Sequence, residues 1–233
     1  KIALDELKEE SESGALESRP PTSGLRPRRW DVALAAVAFL AVAAALWFAR
    51  SRTGPPEESL TAIPLTTYAG REDNPSFSPD GSQVAFAWDG EKQDNFDIYV
   101  KLVDAGTPLR LTTHAASDFG PVWAPDGRHI AFMRSIGSNR AAVLQVPALG
   151  GPERKLAEII VTSSDIGRSF LSWSPDSRRL VMVDRKAPGD PTELFVLSIA
   201  TGEKRSLISP PAKSIGDTDP TVSPDGRALA FSR

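Results

Sequence analysis

The sequence predicts an all-β fold: an incomplete β-propeller of four-stranded blades, preceded by a single transmembrane helix. Three observations predict it. A Pro-Asp turn returns four times at nearly constant spacing, alternating apolar segments flank each return, and one charge-free run of helical length precedes them all. The chain has 233 residues, 40% of them hydrophobic, enough for a sizeable core. Its net charge of −3 lacks the basic footprint of a nucleic-acid-binding domain, so nucleic acid is not expected as a partner. Without cysteine there is no disulfide, thiolate metal site or thiol nucleophile.

Taken in order, residues 1–18 (KIALDELKEESESGALES) set Ile2, Leu4 and Leu7 among charges, the pattern of the last turns of an amphipathic helix ending an upstream cytoplasmic domain. Residues 19–29 (RPPTSGLRPRR) hold three prolines, one glycine and four arginines with no acid, a basic linker rather than a core. The membrane helix is expected over 30–50. Within it residues 32–48 carry no charge, and with Ala49 they give about 27 Å of helix against a hydrocarbon core of roughly 30 Å. Trp30 and Trp47 stand at its ends. Arg19, Arg26, Arg28 and Arg29 precede the span against Arg50 and Arg52 after it, so the N-terminal side is expected in the cytoplasm and the rest of the chain across the membrane from it. Ala41, Ala45 and Ala49, spaced by four, would let two such helices approach as a homodimer. A spacer follows over 51–59.

From 60 to 233 the chain is periodic. SFSPDGSQVAF (76–86), VWAPDGRHIAF (122–132), SWSPDSRRLVM (172–182) and TVSPDGRALAF (221–231) superpose, and Pro79, Pro125, Pro175 and Pro224 are 46, 50 and 49 residues apart. That is blade spacing, longer than most solenoid repeats. In each unit a strand ends at the turn, where proline removes a ladder donor and Asp-Gly supplies the positive φ of a tight hairpin. The turn residues are Pro79, Asp80 and Gly81; Pro125, Asp126 and Gly127; Pro175 and Asp176; Pro224, Asp225 and Gly226. Ser177 replaces the third glycine, which predicts a different turn there. An alternating strand follows, then a third (FDIYVKLV 96–103, AAVLQVP 141–147, ELFVLSI 193–199), a glycine turn, and an outer strand such as PLRLTT (108–113). Three complete units and the start of a fourth leave the ring unfinished in these residues. The chain opens at Lys1 and stops inside a strand pattern, so it reads as a piece of a longer polypeptide.

The SPDG repeats, the DIYV strand (97–100) and the RLTT outer strand (110–113) resemble TolB-like, WD-type β-propeller repeats of bacterial proteins. More finely, NPSFSPDGSQVAFAW followed by EKQDNFDIYVKL is similar to the propeller that one membrane helix joins to a cytoplasmic serine/threonine kinase domain, and KIALDELKEESESG is similar to the tail closing such a domain. The resemblance implies a single-pass protein of the bacterial inner membrane whose propeller is a non-catalytic extracytoplasmic sensor or scaffold for protein or peptide ligands. Two alternatives share the propeller: a membrane-bound winged-helix transcriptional regulator, and the gate of a serine peptidase.

No catalytic, cofactor or metal residue is expected. Asp118-Phe119-Gly120 spells the magnesium tripeptide of kinases, but Gly120-Pro121-Val122-Trp123 lie in register with Asn74-Pro75-Ser76-Phe77, so the tripeptide enters an innermost strand, with no HRD loop or glycine-rich phosphate loop beside it. Asp80, Asp126, Asp176 and Asp225 read as turn-formers bonding the backbone two residues on. His114 and His129 are the only histidines and make no zinc site. No G-x-S-x-G elbow occurs. Of the repeat-region tryptophans, Trp88, Trp123 and Trp173, the last two share one blade position and are expected between blades.

Overall fold

The computed structural model describes residues 29–52, 62–104, 106–162, 169–211 and 213–233. The expected end of an upstream domain (1–18), nearly all of the expected basic linker and most of the expected spacer lie outside them. The chain divides into two units, Lys1–Ala62 and Ile63–Arg233.

The first unit contains α1 (Arg29–Arg52), 24 residues long. Trp30, Leu34, Val37, Phe39, Leu40 and Leu46 are all exposed, so the helix is apolar around its circumference rather than along one stripe. The expected membrane span finds no support here: among the described residues no helix is long and apolar enough to cross a membrane.

The second unit is a series of antiparallel sheets in strict chain order. Blade 1 comprises β1 (Glu72–Phe77), β2 (Gln83–Trp88), β3 (Asp97–Leu102) and β4 (Leu109–Arg110). Blade 2 comprises β5 (Asp118–Trp123), β6 (His129–Ser135), β7 (Arg140–Pro147) and β8 (Arg154–Ile160). Blade 3 comprises β9 (Leu171–Trp173), β10 (Arg179–Asp184), β11 (Glu193–Ser198) and β12 (Lys204–Ile208). The opening of a fourth is β13 (Thr218–Val222) with β14 (Leu229–Ser232). The outer strand of blade 1 is shorter than expected. Beyond Arg110 the Leu111 amide bonds Ile98 O, but the Thr112 hydroxyl, not its backbone, receives the Ile98 amide, and this side-chain bond ends the ladder.

Alternation in the second and third strands does not divide core from solvent. It divides one blade interface from the next, because each inner blade is covered on both faces. Ala85, Ala87, Ile98 and Val100 of blade 1 pack with Ile130, Phe132 and Leu144 of blade 2. Ala131, Met133 and Val143, on the opposite face of blade 2, pack with Leu180, Met182 and Leu194 of blade 3. Blade 1 has no blade on its other face among the described residues. There Leu65 and Tyr68 cover Val84, Phe86, Trp88 and Tyr99, and the Trp88 indole donates to Ala69 O at 2.8 Å.

The third turn corrects the sequence expectation. Ser177 has φ 56, beside 71, 70 and 70 for Gly81, Gly127 and Gly226, and its amide donates to Ser174 O just as theirs donate to Ser78, Ala124 and Ser223. The hairpin is therefore the same, with serine carrying the strain of a positive φ. Its hydroxyl accepts the Asp126 amide of the neighbouring turn at 2.9 Å, a bond glycine could not make.

Candidate functional site

The four Pro-Asp turns occupy equivalent corners of successive sheets. The blade 2 turn bonds the blade 3 turn through Ser177, and the blade 3 turn meets that of the fourth sheet where a Cβ on Gly226 would lie 3.5 Å from Pro175. Each aspartate accepts the amide two residues on, from Ser82, Arg128, Arg178 and Arg227 at 2.8–3.1 Å. Three also accept a serine hydroxyl, from Ser78, Ser174 and Ser223 at 2.5–2.6 Å, and that same oxygen accepts the amide five residues on. In blade 2 Ala124 stands where the serine would be. The carboxylates thus hold hairpins closed.

Those bonds act on the ionised form. The Ser78 hydroxyl first, then the Ser82 amide and hydroxyl, lower the Asp80 pKa from 3.8 to about 2; Ser174 with the Arg178 amide, and Ser223 with the Arg227 amide, lower Asp176 and Asp225. Because the folded value of Asp80 lies below the unfolded one, its contribution to stability is present above the unfolded pKa and lost as pH falls toward about 2. Asp80→Asn should lower the thermal midpoint near neutral pH, and the gap to the parent should close between about pH 4 and pH 2. Circular dichroism melts across that range check it; a gap that does not narrow would remove Asp80 as the titrating group. Asp97 and Asp118, raised by burial, titrate with the opposite sign in both proteins and cancel from the difference.

The opposite ends of the blades hold buried ion pairs. Asp118 is wholly buried and accepts Arg134 Nε and Nη2 at 2.7 and 2.8 Å, while Arg134 Nη1 and Nη2 also reach Glu153 at 2.6 and 2.9 Å. Burial alone would lower the Arg134 pKa, but the bonds from Asp118 and Glu153 raise it, so the guanidinium stays charged. The kinase-like tripeptide is thus spent on an internal pair, and Gly120 (φ 61) forms a bulge where a Cβ would lie 2.9 Å from Met133 Cε. Asp97 takes Arg110 Nη2 at 2.5 Å, and Asp184 takes the Ile160 amide at 2.7 Å and the Lys204 ammonium. Asp217 repeats the first arrangement with Arg233 at 2.7 and 3.0 Å.

Trp88, Trp123 and Trp173 are all buried, so none presents a free ring to a ligand. His114 is exposed, its Nδ1 accepting the Ala116 amide, and His129 Nδ1 lies 3.5 Å from Asp126. Among the described residues no cluster of three or more histidine, aspartate or glutamate side chains could hold a metal ion.

One concave feature on the turn side was not anticipated. A groove of about 740 Å³ lies between the start of β8, the Ser177 hairpin and the β11–β12 turn, lined by Arg154, Arg178, Arg179 and Arg205 around Ile199 and Ala200. Arg154 Nη2 donates to Ile199 O at 2.5 Å, and Lys155 borders an adjoining recess. Its acids are Asp176 and Glu203, 3.7 Å from Arg179 and 3.6 Å from Arg205, all exposed. The signal available in the sequence is the residue two beyond each turn aspartate, arginine in three repeats of four (Arg128, Arg178, Arg227).

A family model of the TolB beta propeller domain matches residues 57–233. The Tol-Pal system protein TolB of Francisella tularensis subsp. tularensis (strain SCHU S4 / Schu 4) is 30% identical over 168 residues, 72% of this chain and 36% of that protein, so the chain spans about a third of the relative's length. Among solved structures, TolB from Acinetobacter baumannii aligns with TM-score 0.58 at 17% identity, over 72% of this chain and 39% of that one. The putative TolB from Agrobacterium tumefaciens aligns with TM-score 0.56 at 19% identity, over 72% and 55%.

Proposed function

The chain belongs to the TolB beta propeller domain family, and from that premise we propose that it is the extracytoplasmic, protein-binding propeller and membrane anchor of a bacterial transmembrane serine/threonine kinase. The single observation carrying the binding role is that the repeated polar groups are occupied. The turn aspartates close hairpins and the buried aspartates hold ion pairs, which leaves loops and grooves for recognition and no assembled nucleophile, base or metal set among the described residues.

The anchor rests on α1. Its apolar side chains face all directions, the charge-free run reaches eighteen residues when the sequence is followed through Ala49, and tryptophans and arginines bracket it. The kinase parent rests on the likeness of residues 1–14 to a kinase-domain tail. A winged-helix regulator would keep the propeller and anchor but change what precedes Lys1; a peptidase gate would need a G-x-S-x-G beyond Arg233.

The test is made on the full-length protein. It should stay in the membrane pellet through an alkaline carbonate wash, protease added to spheroplasts should trim the propeller while sparing the N-terminal part, and the residues upstream of Lys1 should encode a serine/threonine kinase. Extraction by carbonate sinks the anchor, a protected propeller sinks the orientation, and any other upstream domain sinks the kinase.

A further inference from the structure

Building on the reading of this propeller as a protein-binding module, we propose that the arginine-lined groove between blades 2 and 3 docks an extended acidic peptide segment of the partner. The chain is acidic overall at −3, yet Arg154, Arg178, Arg179 and Arg205 converge here against only Asp176 and Glu203. The charge is available. Among the described residues the Arg178 side chain makes no ion pair, and Arg179 and Arg205 meet their acids only at 3.6–3.7 Å in open solvent, where such contacts are worth little. Asp176 is already engaged by the Ser174 hydroxyl and the Arg178 amide, so the acid at the mouth of the groove is committed to its hairpin.

Three features select a peptide over other polyanions. No aromatic side chain lines the groove or the adjoining recess, so neither a nucleobase nor a sugar ring finds a stacking surface. The lining includes the apolar side chains of Ile199 and Ala200, which suit the apolar parts of a polypeptide. Among the described residues the outer strand β12, which carries Arg205, pairs with β11 alone, so its other edge offers main-chain donors and acceptors that an added strand would use. In an extended segment alternate side chains share one face about 7 Å apart, and alternating Glu or Asp would bring successive carboxylates to successive guanidiniums.

Fluorescence anisotropy of a labelled alternating Glu-Thr peptide with the whole chain in neutral detergent tests this. Binding is expected at low ionic strength, weakened by added salt. Arg178→Glu with Arg205→Glu should weaken it by roughly tenfold or more, Lys101→Glu in blade 1 should leave it unchanged, and Arg178→Lys with Arg205→Lys should keep most of it. If charge reversal disturbs the fold, Arg178→Gln with Arg205→Gln, at exposed positions, reads the same loss. Unchanged affinity in either double variant overturns the proposal, as does groove-dependent binding of a heparin fragment, an oligonucleotide or anionic phosphatidylglycerol vesicles without the peptide. Cross-linking of the full-length protein in cells separates the two readings: a partner held equally by parent and double variant sinks the groove alone, and no protein partner for either sinks the binding role itself.

Discussion

Arg134→Ala is expected to destabilise the strand unit by about 3–5 kcal/mol, because it leaves a wholly buried carboxylate without its partner. Asp118 and Arg134 sit directly opposite in the β5–β6 register, and their two parallel bonds bring both carboxylate oxygens against one guanidinium. Glu153 is less buried and can turn to water; Asp118 cannot. Urea unfolding followed by tryptophan fluorescence measures the loss as a shift of midpoint at unchanged slope. Replacing both members, Asp118→Leu with Arg134→Met, should cost less than Arg134→Ala alone, since no orphan charge remains. The pH dependence adds a second reading. Burial already pushes the Asp118 pKa up against the pull of Arg134, and removing Arg134 leaves that push unopposed. A folded-state value above the unfolded one makes ionisation favour unfolding, so the deficit should shrink as pH is lowered through the raised value. A loss under about 1 kcal/mol, or a deficit that grows on acidification, would show that Asp118 reaches solvent in the unmodified protein.

The blades were legible because their signals are local. A Pro-Asp turn followed by an alternating segment specifies a hairpin within about ten residues, and four such hairpins at one period specify stacking. The period also reaches between blades: the Trp123 amide to the Ser76 hydroxyl, the Asp126 amide to that of Ser177, the Trp173 indole to Val122 O and the Val222 amide to the Ser172 hydroxyl span 47, 51, 51 and 50 residues. What stayed hidden depends on context that the motif does not carry. Ser177 takes a glycine conformation because its neighbours impose one and the Asp126 amide rewards the hydroxyl. The partner of each buried aspartate comes from a different place in each blade, Arg110 for Asp97, Arg134 for Asp118 and Lys204 for Asp184, so no single spacing announces it. The groove gathers Arg154, Arg178 and Arg205 from three elements of two blades, and only the stacking places them together.

Trp173→Ala should cost about 3–5 kcal/mol while Phe77→Ala, at the same place in its repeat, should change stability by about 0.5 kcal/mol or less. Both residues stand two before the turn proline. Trp173 is 7% exposed, packed with Met182 and Leu171 in the core shared by blades 2 and 3, its indole N–H donating to Val122 O at 3.2 Å; removing it opens a cavity between two sheets that cannot close without moving one. Phe77 is 60% exposed, since no blade covers that face of β1 among the described residues. Trp123 lies between them in kind: equally buried, but among the described residues its indole N–H has no hydrogen-bond partner, so Trp123→Phe should be milder than Trp173→Phe. Urea midpoints for the four variants decide the point. If Phe77→Ala proves as costly as Trp173→Ala, then something covers the β1 face in solution, and a side chain's place between blades, rather than its place in the repeat, still accounts for the size of the loss.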